Sequence, residues 1–161
     1  MTLKNISRLS GIAYLLIFIT GIYANFAVLE PLVVWEDPEQ TFQNLSENSG
    51  TFQRAVWAFA LMLAFDFLLV WGLYRLLEHA GRKTSMAAAA LRFVNVVFFV
   101  IAWWNLAGVR ALLGPLPEGT AAPASEVMDL LGRFDRIWLA GLVFFGFHLL
   151  VLSRLVLKSP I

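Results

Sequence analysis

Residues 55–77 read AVWAFALMLAFDFLLVWGLYRLL, and this stretch decides the class of fold. It contains only two charged residues, Asp66 and Arg75. A helix rises about 1.5 Å per residue, so about 20 mostly apolar residues cross the roughly 30 Å of hydrocarbon in a bilayer. The stretch meets both the length and the composition of such a segment. We therefore predict that it forms a membrane-spanning helix.

Three further segments meet the same criterion and define the architecture. They cover residues 9–29, 86–113 and 137–157, and all six prolines lie outside the four segments or at their edges. The chain of 161 residues is 60% hydrophobic and 14% charged, whereas a soluble domain averages about 25% charged residues. We predict an all-α, polytopic membrane protein in which residues 1–161 form a single membrane domain, a four-transmembrane-helix bundle.

The charged residues predict the orientation, because cytoplasmic loops are enriched in Lys and Arg. If the N terminus lies inside, the outer flanks carry only Arg54, Arg110, Arg133 and Arg136. The inner flanks then carry Lys4, Arg8, Arg75, Arg82, Lys83, Arg92, Arg154 and Lys158. Most of the acidic residues fall outside. We predict that both termini are cytoplasmic, and that the membrane is the bacterial cytoplasmic (inner) membrane.

Two of the connections carry local signals. Asp37, Pro38 and Glu39 form an acidic N-cap followed by proline, which is typical of a helix start. This predicts a short amphipathic helix at about residues 38–48 that lies on the outer membrane surface. Residues 114–125 are rich in proline and glycine and predict an irregular loop. Ser125 is a candidate cap for an amphipathic lead-in to the last span, with Val127, Leu130, Leu131 and Phe134 on its apolar side.

Polar residues inside the spans are the candidate functional residues, because a charge at the centre of a spanning helix costs about 2.5–3.5 kcal/mol or more. Asp66 lies midway along the second span, Arg92 and Asn95 share a face of the third, and His148 lies in the fourth. Tyr14 of the first span reaches a similar depth. We predict that Asp66, Arg92, Asn95 and His148 form one polar cluster in the inner leaflet.

Two interpretations of this cluster remain open. It either holds the helices together, with Asp66 paired to Arg92 and the hydrogen bonds closed by His148 or Asn95, or it lines a cavity that handles a proton, an ion or a polar head group. Asp66 beside His148 would suit a proton relay. The glycines Gly141 and Gly146 are interpreted as close-packing positions.

Several chemistries are disfavoured by composition. There are no cysteines and only two histidines, so we expect neither thiol chemistry nor a metal site, and we predict no cofactor. A nucleophile, a base and an electrophile cannot be assembled, so we do not expect an enzyme. The net charge of +1 argues against a nucleic-acid partner.

The sequence also resembles a known family, the bacterial multi-pass membrane proteins grouped as domain of unknown function 4386. The resemblance is carried by residues 8–16 (RLSGIAYLL), 66–69 (DFLL), 73–74 (LY), 90–94 (ALRFV), 144–150 (FFGFHLL) and 158–159 (KS). Family members continue into further hydrophobic segments, so the resemblance implies a shortened member. It implies a bacterial cytoplasmic membrane protein without an established activity, and it adds weight to Asp66, Arg92 and His148.

Three functions remain as hypotheses. The first is a non-enzymatic scaffold or accessory subunit that packs in the lipid bilayer against copies of itself, as a homo-oligomer, or against a larger membrane complex. The second is a small transporter or proton-linked permease that uses Asp66 and His148. The third is a lipid- or quinone-binding module among the second, third and fourth spans, in which Arg92 contacts the ligand.

Overall fold

The computed structural model describes residues 2–114 and 123–158, and these residues are almost entirely helical without a β-strand. The helices are α1 (Leu3–Ile22), which continues as a π-helical segment (Tyr23–Leu29), α2 (Glu30–Leu32), α3 (Pro38–Glu47), α4 (Ser49–Leu77), α5 (Arg82–Leu112) and α6 (Ala124–Lys158). Four helical stretches in this part of the chain are long and apolar enough to cross a membrane. The predicted all-α fold with four spanning helices is confirmed.

The first spanning helix changes its winding before it ends. Its Tyr23–Leu29 portion is π-helical, and the backbone N–H of Glu30 donates to the carbonyl of Asn25, five residues earlier. Pro31 follows directly. Proline has no N–H, and its ring crowds the carbonyl four residues before it, so a regular α-helical turn is unfavourable here. The wider π-helical turn lies directly before Pro31, where the proline ring would otherwise crowd the backbone carbonyl.

Each spanning helix begins before its predicted apolar segment, because hydropathy detects only the part in hydrocarbon. The largest difference is in the last span, where 137–157 was predicted and α6 begins at Ala124. Val127, Leu131 and Phe134 recur at helical spacing and are buried, so the predicted amphipathic lead-in is a packed part of the same helix. Residues 124–125 therefore belong to α6 rather than to the predicted loop, and residues 115–122 lie outside the described part.

The short helix α3 begins as its sequence predicts. The side chain of Asp37 accepts a hydrogen bond of 3.0 Å from the backbone N–H of Gln40, and Pro38 is the first helical residue. Leu45 is fully buried, and α3 packs against α6. The hydroxyl of Thr41 accepts a hydrogen bond from the backbone N–H of Val34 and donates one to its carbonyl. These bonds hold α3 against the segment that precedes it.

The spanning helices pack in chain order, which positions the candidate site. α1 packs on α4, α4 on α5, and α5 on α6, whereas α1 and α6 make no extended contact among the described residues. Ser10 of α1 lies against Gly72 near the end of α4, and Leu155 of α6 lies near Gly81 in the α4–α5 turn. The start of α1 and the end of α6 are therefore at the same end of the bundle.

Candidate intramembrane site

The centre of the site is an ion pair between two neighbouring helices. The guanidinium Nη2 of Arg92 on α5 contacts the carboxylate Oδ1 of Asp66 on α4, and the two side chains are only 1% and 2% exposed. Neither charge can be hydrated there, so each depends on the other for compensation. The sequence placed both residues at one depth, and the structure brings them into direct contact.

Arg92 also connects α1 and α6, which make no extended contact with each other among the described residues. Its guanidinium carbon lies 5.0 Å from the centroid of the Tyr14 ring on α1 and 5.3 Å from that of the Phe145 ring on α6. Both distances are within the range for a cation–π interaction. The guanidinium Nη1 donates a long hydrogen bond of 3.4 Å to the Tyr14 hydroxyl. One arginine thus contacts all three other spanning helices.

Asn95 joins α5 to α6 one turn away from Arg92. Its side-chain Nδ2 donates to the backbone carbonyl of Gly141 over 3.0 Å. A carbonyl only accepts, so this contact fixes which end of the amide faces Gly141. The other end, Oδ1, is buried and has no hydrogen-bond partner among the described residues. Asn95 therefore carries an unused acceptor in a side chain that is 0% exposed.

Gly141 allows this close approach of α5 and α6. A Cβ atom at this position would lie 2.8 Å from two carbon atoms of the Phe99 ring and 3.1 Å from Cβ of Phe98. Only a residue without a side chain fits, so the prediction of a close-packing position holds for Gly141. It is wrong for Gly146, because a Cβ there meets nothing within 4 Å.

His148 is buried near the cluster but is bonded elsewhere. Its Nδ1 lies 2.8 Å from the carbonyl of Ala88 on α5. Because a carbonyl cannot donate, Nδ1 carries the proton in this contact. Neither His148 nor Asn95 closes the hydrogen bonds of the Asp66–Arg92 pair among the described residues; Tyr14 takes that place. His148 and Asp66 share no hydrogen bond, so the geometry gives no direct proton relay between them.

A cavity of about 140 Å³ lies beside the ion pair. Its lining includes Asp66, Arg92 and Asn95, together with Ile17 of α1 and Leu142 of α6. Its remaining lining residues are Met62, Phe99, Trp138 and Phe145. Leu142 is 39% exposed, so the cavity reaches the lipid-facing surface where α1 and α6 do not pack.

A second, larger cavity lies toward the other end of the bundle. It measures about 410 Å³, and its lining includes Phe26, Trp35, Phe134 and the carboxylates Glu30 and Asp135. Phe26 and Trp35 are 64% and 51% exposed, so this is a surface groove rather than an enclosed site. Within residues 2–114 and 123–158 no three His, Cys, Asp or Glu side chains come together as metal ligands would.

The aromatic walls of the inner cavity were not predicted from sequence. Trp138, Leu142 and Phe145 of α6 are spaced four and three residues apart, so they share one helix face, and His148 continues that face. The predicted place of His148 in the polar cluster therefore pointed to these residues. Phe99 could be found in the same way, because it follows Arg92 and Asn95 at helical spacing on α5.

The fold and the site define a class of protein: a multi-pass helical membrane protein whose spans are joined by a buried ion pair. The chain belongs to the family described as Domain of unknown function (DUF4386), whose profile matches residues 9–161. No curated protein and no solved structure matches the chain.

Proposed function

We propose that this protein is a non-enzymatic membrane protein that binds a lipid-soluble molecule in the cavity between α1 and α6. The observation that carries the proposal is the position of this cavity. It is lined by residues of α1, α4, α5 and α6, where α1 and α6 make no extended contact among the described residues, and its accessible surface is almost entirely apolar. A molecule dissolved in the bilayer can reach it sideways, without crossing water.

The size and lining of the cavity support binding of part of a ligand rather than all of it. An engineered protein cavity of about 150 Å³ binds benzene, so about 140 Å³ accommodates one ring or a short length of chain. The rest of the ligand would extend past the half-exposed Leu142 into the lipid. Apolar walls with few fixed polar groups are typical of small-molecule sites.

The same geometry ranks the other hypotheses lower. Asp66 is already neutralised by Arg92, so the cluster offers no free carboxylate to a transported cation. The exposed apolar faces that a scaffold would use are also those that lipid requires, so they do not favour a protein partner. The polar groups beside the cavity are an ion pair and a carboxamide, which do not include an activated nucleophile.

We also infer that the protein lies in the bacterial cytoplasmic membrane with both termini inside. The end of the bundle that holds the start of α1, the α4–α5 turn and the end of α6 carries Lys4, Arg8, Arg82, Lys83 and Arg154. This concentration of positive charge at one end supports the orientation.

The experiment compares two tryptophan substitutions on one face of α6. Leu142→Trp places a large side chain in the opening of the cavity, whereas Leu139→Trp changes a lipid-exposed residue outside it. The protein is extracted gently from its native membrane, and the bound molecules are identified by mass spectrometry. We expect one amphiphile to be bound in nearly equimolar amount to the protein in the wild type and in Leu139→Trp. We expect it to be lost in Leu142→Trp. The same bound molecules in the same amounts in all three proteins would contradict the proposal.

A further inference from the structure

The larger groove and the smaller cavity both lie between the first and the fourth spans, and they differ in chemistry. We propose, resting on the proposed function above, that they are the two ends of one binding site for a single-tailed cationic amphiphile. Its ammonium head lies in the groove of about 410 Å³, beside Glu30 and Asp135, and its tail enters the cavity of about 140 Å³. The position, the charge and the separation of the two cavities each support this assignment.

The groove and the cavity share one face of α6. Phe134 and Asp135 line the groove, whereas Trp138 and Leu142 line the cavity. Residues three and four apart on a helix are neighbours, so these side chains follow one another along the helix surface. Phe134 and Trp138 also stack, with their ring centroids 5.7 Å apart. One side of α6 therefore leads directly from the groove to the cavity.

The first span leaves room along the same path. Ile17 lines the cavity and Asn25 lines the groove, and Gly21 lies four residues from each. A Cβ atom at Gly21 would lie 3.4 Å from Sδ of Met62, which lines the cavity, so the missing side chain faces this region. α1 and α6 make no extended contact among the described residues. An alkyl chain that passes Leu142 can therefore lie in the gap between the two helices, with one side in contact with lipid.

The groove presents accessible negative charge. Glu30 is exposed and Asp135 is half-buried, so a ligand can reach both carboxylates. Neither carboxylate forms an ion pair within residues 2–114 and 123–158. The described lining of the groove also contains no lysine or arginine. A positively charged head group gains attraction from both carboxylates, while an anionic head group is repelled.

The aromatic lining of the groove favours an organic cation over a metal ion. Phe26 and Trp35 present exposed rings to the groove, and the faces of such rings attract alkylammonium groups. Within the part of the chain that the structure describes, no third His, Cys, Asp or Glu side chain joins Glu30 and Asp135 as metal ligands would. The volume of about 410 Å³ is within the range of small-molecule sites.

The smaller cavity suits a hydrocarbon tail, because its accessible surface is almost entirely apolar. Phe145 is the lining residue of α6 farthest from the groove, and it lies ten residues after Asp135. Ten residues of helix correspond to about 15 Å. A carbon chain advances about 1.3 Å per bond, given bonds of about 1.5 Å at tetrahedral angles. A chain of roughly twelve carbon atoms therefore reaches from the carboxylates of the groove to the end of the cavity.

The test compares probes that share a dodecyl tail and differ in the head group. Dodecyltrimethylammonium is a cation, whereas dodecyldimethylamine oxide has an oxygen in place of one methyl group and no net charge at neutral pH. Dodecylphosphocholine adds a phosphate to the ammonium and represents a zwitterionic membrane lipid. Binding to the whole chain in nanodiscs of uncharged galactolipid is measured by titration calorimetry below micelle-forming concentrations, with empty nanodiscs as the blank. We expect the wild type to bind the cation about tenfold more tightly than the other two probes, which corresponds to about 1.4 kcal/mol.

Three variants test the two ends of the site separately. In the double variant Glu30→Gln with Asp135→Asn, the preference for the cation should fall to about onefold, while binding of the amine oxide persists. Asp129→Asn is the matched control, because Asp129 is an exposed acid of α6 outside the groove, and it should keep the preference. Leu142→Trp should abolish binding of the dodecyl probes. It should leave hexyltrimethylammonium unaffected, because that chain is too short to reach the cavity from the groove.

The outcomes separate this inference from the proposed function. Equal affinities for the cation and the amine oxide in the wild type, or an unchanged preference in the double variant, overturn the inference. Tighter binding of dodecylphosphocholine than of the cation also overturns it, in favour of a zwitterionic lipid. In each of these cases the proposed function stands if Leu142→Trp still abolishes binding of the dodecyl probes. Unchanged binding of the dodecyl probes in Leu142→Trp, or no binding of any probe to the wild type, overturns both.

Discussion

Asp66 and Arg92 form an ion pair across the α4–α5 interface with their side chains 2% and 1% exposed, so two charges that lipid would exclude are compensated inside the bundle. Removal of one partner from a buried pair leaves an uncompensated charge and costs about 3–5 kcal/mol, whereas replacement of both by apolar residues is often close to neutral. The pair therefore makes the stability of the bundle depend on both residues together.

The single and double substitutions of the pair should differ in how much they lower the free energy of unfolding. We expect Arg92→Leu to lower the free energy of unfolding by about 3 kcal/mol or more, because Asp66 is left buried alone. The double variant Asp66→Leu with Arg92→Leu should recover a large part of this loss. Equilibrium unfolding in mixed micelles measures both.

The surface pair Arg75–Glu78 provides the control. Its arginine is 52% exposed, so Arg75→Leu should change stability by less than about 1 kcal/mol. If Arg92→Leu were no more harmful than Arg75→Leu, the buried pair would not be a stabilising contact.

The ring of Tyr14 should matter more than its hydroxyl. The hydrogen bond from Arg92 to that hydroxyl is long, at 3.4 Å, while the ring lies 5.0 Å from the guanidinium carbon. Tyr14→Phe retains the ring and should cost less than about 0.5 kcal/mol, because a long hydrogen bond is weak. Tyr14→Leu removes the cation–π contact and should cost about 1–2 kcal/mol. Unfolding measurements that show equal losses for the two variants would contradict this assignment.

Two glycines of α6 should respond differently to the same substitution. A Cβ at Gly141 would lie 2.8 Å from the Phe99 ring, so Gly141→Ala must separate α5 from α6 and should cost about 1–3 kcal/mol. Gly146→Ala meets nothing within 4 Å and should be neutral or stabilising by up to about 1 kcal/mol, since alanine is the better helix former. Thermal unfolding of the two variants in detergent compares them directly, and similar shifts would show that α5 and α6 are not in close contact at Gly141.

The predicted orientation can be tested by labelling, because the chain contains no cysteine. Ser7→Cys at the start of α1 and Asn48→Cys at the end of α3 are both exposed positions. In intact cells a membrane-impermeant maleimide should label Asn48→Cys but not Ser7→Cys, and permeabilisation should make both reactive. Labelling of Ser7→Cys in intact cells would reverse the orientation inferred from the positive charges.

Much of this protein was determined by sequence alone, because crossing a bilayer is a local requirement. Each span must satisfy its own backbone hydrogen bonds and present about 20 apolar residues to lipid, so the four spans could be identified one at a time. The candidate residues Asp66, Arg92, Asn95 and His148 were also visible, since a polar residue in a span is conspicuous by its cost.

Only the tertiary structure decided what these residues contact. The hydrogen bonds join residues far apart in the sequence, Arg92 with Tyr14, Asn95 with Gly141 and His148 with Ala88, and no local pattern selects those partners. The spacing of Val127, Leu131 and Phe134 predicted an amphipathic lead-in to the last span, and the structure shows that this lead-in and the span form one continuous helix from Ala124. The cavity between α1 and α6 follows from the order in which the helices pack, and helix order is set by the fit of whole faces rather than by the composition of any one segment.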